Sequence, residues 1–363
     1  MKTTRFIIRF SFMLIFFISC ESILDQKPQG IISSDDLNTK EKVEQMINSA
    51  YSFTGQNHFN KQFSMPYEEG SVRGGEAYKG GAGTNDNGER NLWETFTYMQ
   101  ATTSGDLDNL WWVHYVAIGR VHDALRRAQN LTVDEYPLRD QRIAELRFLR
   151  GHIYMYMKLC FKSFPFIDEN TPEEEYSTIS NDALSDQELW GKLIDDFRFA
   201  VAGLPDTQVE VGRPTKFAAK AYLAKALLFA AYEQDANHNV ININKEKLGE
   251  VATLCKDIID NSGQSLFPDF AQNFLWEYEN GEESIWAIQH SANNDNSPTG
   301  RLNAWLIYPV NSEYGCCGFL QPSVNMMNRY KTVNGVPDFD NFNSGITIDN
   351  KEAIGKTPLD PRL

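Results

Sequence analysis

The feature that most narrows what this chain can become is a succession of apolar stripes at helical spacing between residues 38 and 260. Val43, Met46, Ile47, Ala50 and Tyr51 form the first, preceded by Asn38 as an N-cap with Glu41 three residues on. Leu107, Leu110, Trp111, Tyr115, Ile118, Val121 and Leu125 form the second. Residues 138–161 carry a third through Ile143, Leu146, Leu149, Ile153, Met157 and Cys160. The capping box Ser185-Asp186-Gln187-Glu188 then opens a helix with Leu189, Leu193, Phe197 and Val201, closed by Gly203 and Pro205. Thr215 caps the next, which carries Phe217, Ala221, Leu228 and Tyr232. Another helix covers residues 248–259.

Amphipathic helices in series bury their stripes by stacking on one another. Ala218, Ala219, Ala221, Ala224 and Ala226 permit close helix–helix approach. The expected fold class is therefore mainly α, a tetratricopeptide-like solenoid of helix pairs, although no strict 34-residue period is visible. A glycine- and asparagine-rich stretch, residues 70–90, interrupts the series and reads as a long functional loop. From Asn261 the character changes to aromatic, loop-dominated sequence. It holds one strand-like run, Ser284-Ile285-Trp286-Ala287-Ile288-Gln289, and a helical segment near residues 325–330.

The N-terminus sets the address. Lys2, Arg5 and Arg9 precede a short apolar run that ends at Ile18-Ser19-Cys20, the layout of a secretory signal peptide. It is too short to span a bilayer, and no later segment does so. A cysteine directly after the small residue looks like a bacterial lipobox, which implies lipidation of Cys20. Several acyl chains would hold the product firmly, where one alone binds only marginally. The expected organisation is a signal peptide over residues 1–19, a lipidated tether over 20–36, a helical region over 37–260 and a loop-rich region over 261–363.

Net charge is −15, and the three basic residues of the leader carry no acidic neighbours, so the remainder stands at −18. Such a balance argues against nucleic acid and against adsorption to anionic lipid. The five cysteines, Cys20, Cys160, Cys255, Cys316 and Cys317, match neither a metal ribbon nor a disulfide framework. Cys160 and Cys255 read as buried helix thiols, and Cys316-Cys317 as two ordinary thiols rather than a strained vicinal bridge.

Catalytic signatures are missing. There is no HExxH, GxSxG, Walker A or GxGxxG pattern, and the glycine run has no Lys-Ser/Thr pair for phosphate. The histidines are scattered, and His114 and His122 lie two turns apart, too far for one metal. Asp338-Phe339-Asp340-Asn341 and Asn293-Asn294-Asp295-Asn296 lack EF-hand spacing and read as solvated loops. No metal or cofactor is expected. What remains is a binding surface. Sugar rings lay C–H patches on flat aromatic faces while their hydroxyls meet Asn, Asp and Arg at the edge. Two loop clusters have that mixture: Tyr67, Arg73, Tyr78, Asn91 and Trp93, and Arg301, Asn303, Trp305, Tyr308 and Tyr314. Trp111, Trp112 and Trp190 lie in helical stripes and read as core.

Several segments resemble the SusD/RagB family of outer-membrane lipoproteins. Glu145-Leu146-Arg147-Phe148-Leu149-Arg150 followed by Tyr154 and by Phe164-Pro165-Phe166-Ile167 is similar to one family helix. Gly212-Arg213-Pro214-Thr215-Lys216 with Ala218-Ala219-Lys220-Ala221 resembles another signature. Trp111, Tyr115 and Ile118, Cys20 with Leu24-Asp25 and Pro28, Glu283-Ser284-Ile285-Trp286 and Asp360-Pro361-Arg362-Leu363 complete the order. The resemblance implies a non-enzymatic lipoprotein, anchored in the outer membrane and facing the exterior. It would bind oligosaccharide through the two loop clusters and deliver it to a SusC-like, TonB-dependent barrel. Peptide cargo is a variant of that reading; a lipid-anchored glycoside hydrolase and a protein-binding helical scaffold are rivals from other classes. Two departures stand out: the family usually shows Asn at the position of His122, and its members commonly run longer, which makes a C-terminal truncation the expectation.

Overall fold

The computed structural model describes residues 35–55, 57–58, 61–62, 68–86, 88–289 and 318–363. The expected signal peptide, the expected tether as far as residue 34, with Cys20, the segment Asn293–Asn296 and Cys316-Cys317 lie outside them, while Asp35–Leu37 forms a short 3-10 helix. The stripes become helices α1 (Lys40–Gly55), α2 (Gly88–Thr95), α3 (Gln100–Asn130), α4 (Arg139–Cys160), α5 (Asp186–Gly203), α6 (Lys216–Ala231) and α7 (Lys245–Asn261). Short α8 (Val324–Arg329) and α9 (Lys351–Lys356) follow. Local chemistry sets the starts. Ser185 and Glu188 form the reciprocal capping box of α5, Thr215 Oγ1 accepts from Ala218 N at 3.2 Å on α6, and Asn244 caps α7.

Each long helix packs on the next one in the chain: α1 on α3, α3 on α4, then α5, α6 and α7 in turn. The fold is mainly α, a tetratricopeptide-like stack. One contiguous core runs through it, from Val43 and Ile47 past Val121, Leu146, Leu149 and Phe197 to Leu227. Gly151 lets α4 approach α5, because a Cβ there would stand 2.8 Å from the Phe197 ring. Gly151→Ala is therefore expected to overpack the core and cost about 1–3 kcal/mol in a urea melt; an unchanged melt would mean that the ring yields freely.

The family-like motifs have structural reasons. Tyr154, 0% exposed, donates its hydroxyl to Ile167 O at 2.7 Å and accepts from Ile167 N at 3.0 Å. Tyr115 OH donates to Pro165 O at 2.7 Å, so the two phenols pin the Phe164–Pro165–Phe166–Ile167 segment. Glu145, fully buried, takes Arg142 at 2.6 Å, Arg213 at 2.8 Å and Tyr51 OH at 3.0 Å. The buried Asp196 takes Arg150 at 2.6 Å and also Arg147, while Arg150 reaches Glu169 as well. These two ionic knots stitch α1, α4, α5 and the Arg213 loop together.

Four local expectations are corrected. Thr39, not Asn38, stands at the start of α1: its Oγ1 accepts from Lys42 N at 3.3 Å, while Asn38 accepts from Arg127 at 3.1 Å. Trp112 is 43% exposed rather than core, unlike Trp190 and the partly buried Trp111. Cys255 is exposed, because the described structure covers α7 on its α6 side, and Cys160 at the end of α4 is half-buried. The run 284–289 joins no strand; instead Trp286 turns inward against Phe148, Tyr222 and His152, its Nε1 donating to Gly212 O at 2.8 Å.

The described strands form small antiparallel pairs: β1 (Asn57–His58) with β2 (Lys61–Gln62), β3 (Ala77–Gly80) with β6 (Phe319–Pro322), β4 (Tyr232–Gln234) with β5 (Val240–Ile243), and β7 (Thr332–Val333) with β8 (Val336–Pro337). The β3–β6 pair matters most. It ties the glycine-rich stretch before the stack to the segment after it, with Tyr78 opposite Gln321 and Gly80 opposite Phe319. A Cβ on Gly80 would collide with the Gly318 carbonyl, so glycine is required at this close approach.

Candidate functional site

The stretch over residues 70–90 is not a bare loop. A turn at Glu68–Val72 leads into β3, and α2 begins at Gly88. Lys79 is 2% exposed, and its ammonium donates to the carbonyls of Gly83 at 2.7 Å and Asp86 at 2.6 Å. Its backbone N–H donates to Glu94 on α2 at 2.6 Å. A buried ammonium held by carbonyls draws the glycine-rich turn closed and docks α2 on β3. From the far side, Ser323 at the start of α8 donates to Gly75 O at 2.5 Å, and its N–H donates to Glu76 O at 2.9 Å.

On this frame the structure brings together Arg73 and Trp93 of the first predicted cluster, while Tyr78 on β3 and Asn91 on α2 lie on neighbouring elements. Tyr67 lies outside the described residues, as do Arg301, Asn303, Trp305, Tyr308 and Tyr314 of the second. Trp93 is turned inward, 2% exposed, with its ring stacked on Tyr98 at 4.3 Å. Its flat face is therefore taken by protein; it supports the surface rather than forming it. Val72, Leu107 and Leu320 complete the small apolar cluster around it. Arg73 is exposed and lies over this layer, 5.0 Å from the Tyr98 ring centre and 5.8 Å from those of Trp93 and Phe96. Among the described residues Arg73 pairs with no carboxylate. Tyr78 is 42% exposed, its hydroxyl accepting from Val324 N at 3.4 Å. Asn91 is half-buried on α2.

Phe96 and Tyr98 belong to this surface although they fall outside the predicted cluster. The aromatic spacing Trp93, Phe96, Tyr98 was the available signal. Leu320 had none, since only the β3–β6 pairing carries it there. The result is a shelf of exposed aromatic edge under one guanidinium whose N–H donors have no partner among the described residues. It can stack on an apolar ring face and donate to oxygens at its rim. Among the described residues no three His, Cys, Asp or Glu side chains could jointly hold a metal ion.

A second concavity, about 250 Å³, lies where Tyr51, Thr54, Arg213, Trp286 and Gln289 meet. Two of its polar side chains are committed inward, Arg213 to Glu145 and Trp286 to Gly212. It is a seam between the stack and the later segment.

The family described as "Starch-binding associating with outer membrane", SusD-like, matches residues 23–228, more than half of the chain. The chain belongs to the SusD-like family. A SusD-like protein P2 of Formosa agariphila is 26% identical over 246 residues, covering 67% of this chain and 46% of that protein. A SusD-like protein of Bacteroides ovatus is 20% identical over 322 residues, covering 88% and 56%. The chain thus spans about half the length of the curated relatives it matches. Among solved structures, surface glycan-binding protein A from Bacteroides thetaiotaomicron, in complex with laminarihexaose, superposes with a TM-score of 0.63 at 18% identity, over 82% of this chain and 62% of that one. A SusD-like protein from Bacteroides fragilis gives 0.62 at 18% identity, over 84% and 55%. At such identity the superpositions establish the shared helical fold of SusD-like proteins, and the binding site of this member rests on its own residues.

Proposed function

We propose that this SusD-like protein captures oligosaccharide at the outer membrane, without making or breaking bonds, and passes it to a SusC-like, TonB-dependent barrel. The observation that carries the reading is the aromatic shelf under Arg73, in a family described as starch-binding and outer-membrane-associated. Relatives of the same fold support it: one is named a surface glycan-binding protein and is in complex with laminarihexaose. Lipidation of Cys20 would place the protein on the membrane, and among the described residues no helix is long and apolar enough to cross one. Tyr78, Arg73 and Asn91 would touch the sugar, with Trp93 beneath Arg73, and Tyr67, Asn303, Trp305, Tyr308 and Tyr314 would add further contacts.

The test is retardation in native gels containing starch, laminarin or xyloglucan, with reducing ends assayed in parallel. Retardation by at least one glycan without new reducing ends is expected, and Tyr78→Ala should weaken it about tenfold, the scale of one lost aromatic contact. New reducing ends would replace the reading by a hydrolase. Retardation by none, with binding of peptides instead, would change the cargo class.

A further inference from the structure

Non-glycine residues with left-handed backbone are uncommon, and Asn and His dominate them because their short polar groups tolerate it. Here His238, Asn280 and Asn334 follow that rule, with φ of 65°, 56° and 54°. Two apolar residues break it, Phe96 and Leu320, each at φ 55°. Both sit around Trp93: Leu320 packs against it, and Phe96 shares the Arg73 guanidinium with it. The two unfavourable backbones thus converge on one place.

Phe96 occupies the position just past α2 where a helix reverses. Its N–H donates to Trp93 O at 3.4 Å, and the N–H of Thr97 donates to Leu92 O at 3.0 Å. Helices ending this way take glycine at that position, since a side chain there strains the backbone. A large ring would be worth the strain if it were buried, but Phe96 is 61% exposed. Neither backbone preference nor core packing accounts for phenylalanine here. Residues held in sparsely populated conformations collect at ligand contacts, where the strained geometry aims a side chain.

We infer that Phe96 is a ligand-contact residue: its ring, fixed at the helix end beside Arg73, is the outermost stacking surface for a sugar ring of the cargo. The tight reversal holds the ring outward from the Trp93–Tyr98 stack. Arg73, over the same layer, has N–H donors for the hydroxyl oxygens at the edge of a ring stacked on Phe96. The inference rests on the glycan reading and adds the residue that makes first contact. It also explains why Trp93, the more obvious sugar platform, is buried: it is the floor on which Arg73 and Tyr98 are laid.

Glycine at this position separates a binding role from a structural one, because the two predict opposite effects on stability. Phe96→Gly relieves the left-handed strain and removes a mostly exposed ring. Its melting temperature is expected to equal or exceed that of the unmodified protein, while affinity falls about tenfold for whichever of starch, laminarin or xyloglucan retards the unmodified protein. Phe96→Tyr, which keeps the ring, should hold affinity within about twofold. A Phe96→Gly protein with unchanged retardation would overturn the inference, and so would a melting temperature lowered by Phe96→Gly and restored by Phe96→Tyr, which would make the ring a structural prop. If the unmodified protein binds none of the three glycans, the glycan reading fails at that step, before Phe96 is tested.

Discussion

Replacing Asp196 by alanine is expected to cost about 3–5 kcal/mol, a large part of the 5–15 kcal/mol that holds a typical domain together. The reason is burial. Asp196 is fully enclosed on α5, and its carboxylate takes Arg150 Nε at 2.8 Å, Arg150 Nη2 at 2.6 Å and Arg147. Arg150 is itself only 3% exposed, and Glu169 is its other anionic partner. Without Asp196, two guanidinium groups would share one carboxylate in a site with little water, and an uncompensated buried charge is far more costly than a missing ion pair. Urea unfolding followed by far-UV circular dichroism measures the loss. A loss below about 1 kcal/mol for Asp196→Ala would show that the knot contributes geometry rather than stability.

Between pH 6.5 and 5 the protein is expected to lose stability steeply, because three histidines are buried in neutral form. His114, His122 and His152 are all within 1% of complete burial on α3 and α4. Desolvation is the main cause in each, lowering His114 to about 4 and both His122 and His152 to about 3. Around His122, Arg150 and Arg126 push further down, while Glu169 and Asp168 push up. His152 feels His114 and Lys225. The unfolded chain protonates these rings near pH 6.5, whereas the folded chain does not until pH 3–4. Unfolding therefore takes up protons in that window, and stability falls with pH by about 1.4 kcal/mol per unit for each ring. Relief of the net charge of −15 works in the opposite direction, but exposed carboxylates gain protons mainly below this window. His122 offers the cleanest check: His114 bonds Leu110 O and His152 bonds Tyr222 OH, whereas the His122 ring has no hydrogen-bond partner among the described residues. His122→Asn should reduce proton uptake by one and stabilise the protein at pH 5. Urea midpoints that stay level from pH 6.5 to 5 would refute the assignment.

How much of this could be read from sequence depends on how local each cause is. The stack was legible because amphipathic periodicity and caps act within a few residues. The box at Ser185–Glu188 and the cap at Thr215 stand as their spacing predicts. Asn38 failed as a cap because Arg127, 89 positions away in the chain, claims its side-chain oxygen. The run at 284–289 alternates like a strand, yet the cavity beside Phe148, His152 and Tyr222 accepts Trp286, and that choice overrides strand pairing.

The binding surface was legible only as composition. Aromatic, amide and arginine residues near position 80 marked a stretch in which Arg73 lies over the Trp93–Tyr98 layer. Which rings face outward was hidden. Trp93 and Phe96 are both aromatic residues in a polar stretch, and nothing in their neighbours says that one becomes floor and the other surface. The decision falls to the β3–β6 pairing, which brings Leu320 against Trp93, and to the reversal after α2, which turns Phe96 out.

By itself, then, the sequence determined the order of the long helices, the caps at Ser185 and Thr215 and which stripe each must bury, because those preferences are satisfied by contacts a turn or two apart. Only the tertiary structure decided which charges stay paired out of water, which histidines lose their protons and which aromatic face is left for a ligand. Burial is a property of what the rest of the chain packs against a residue, and no residue carries that information in its own neighbourhood.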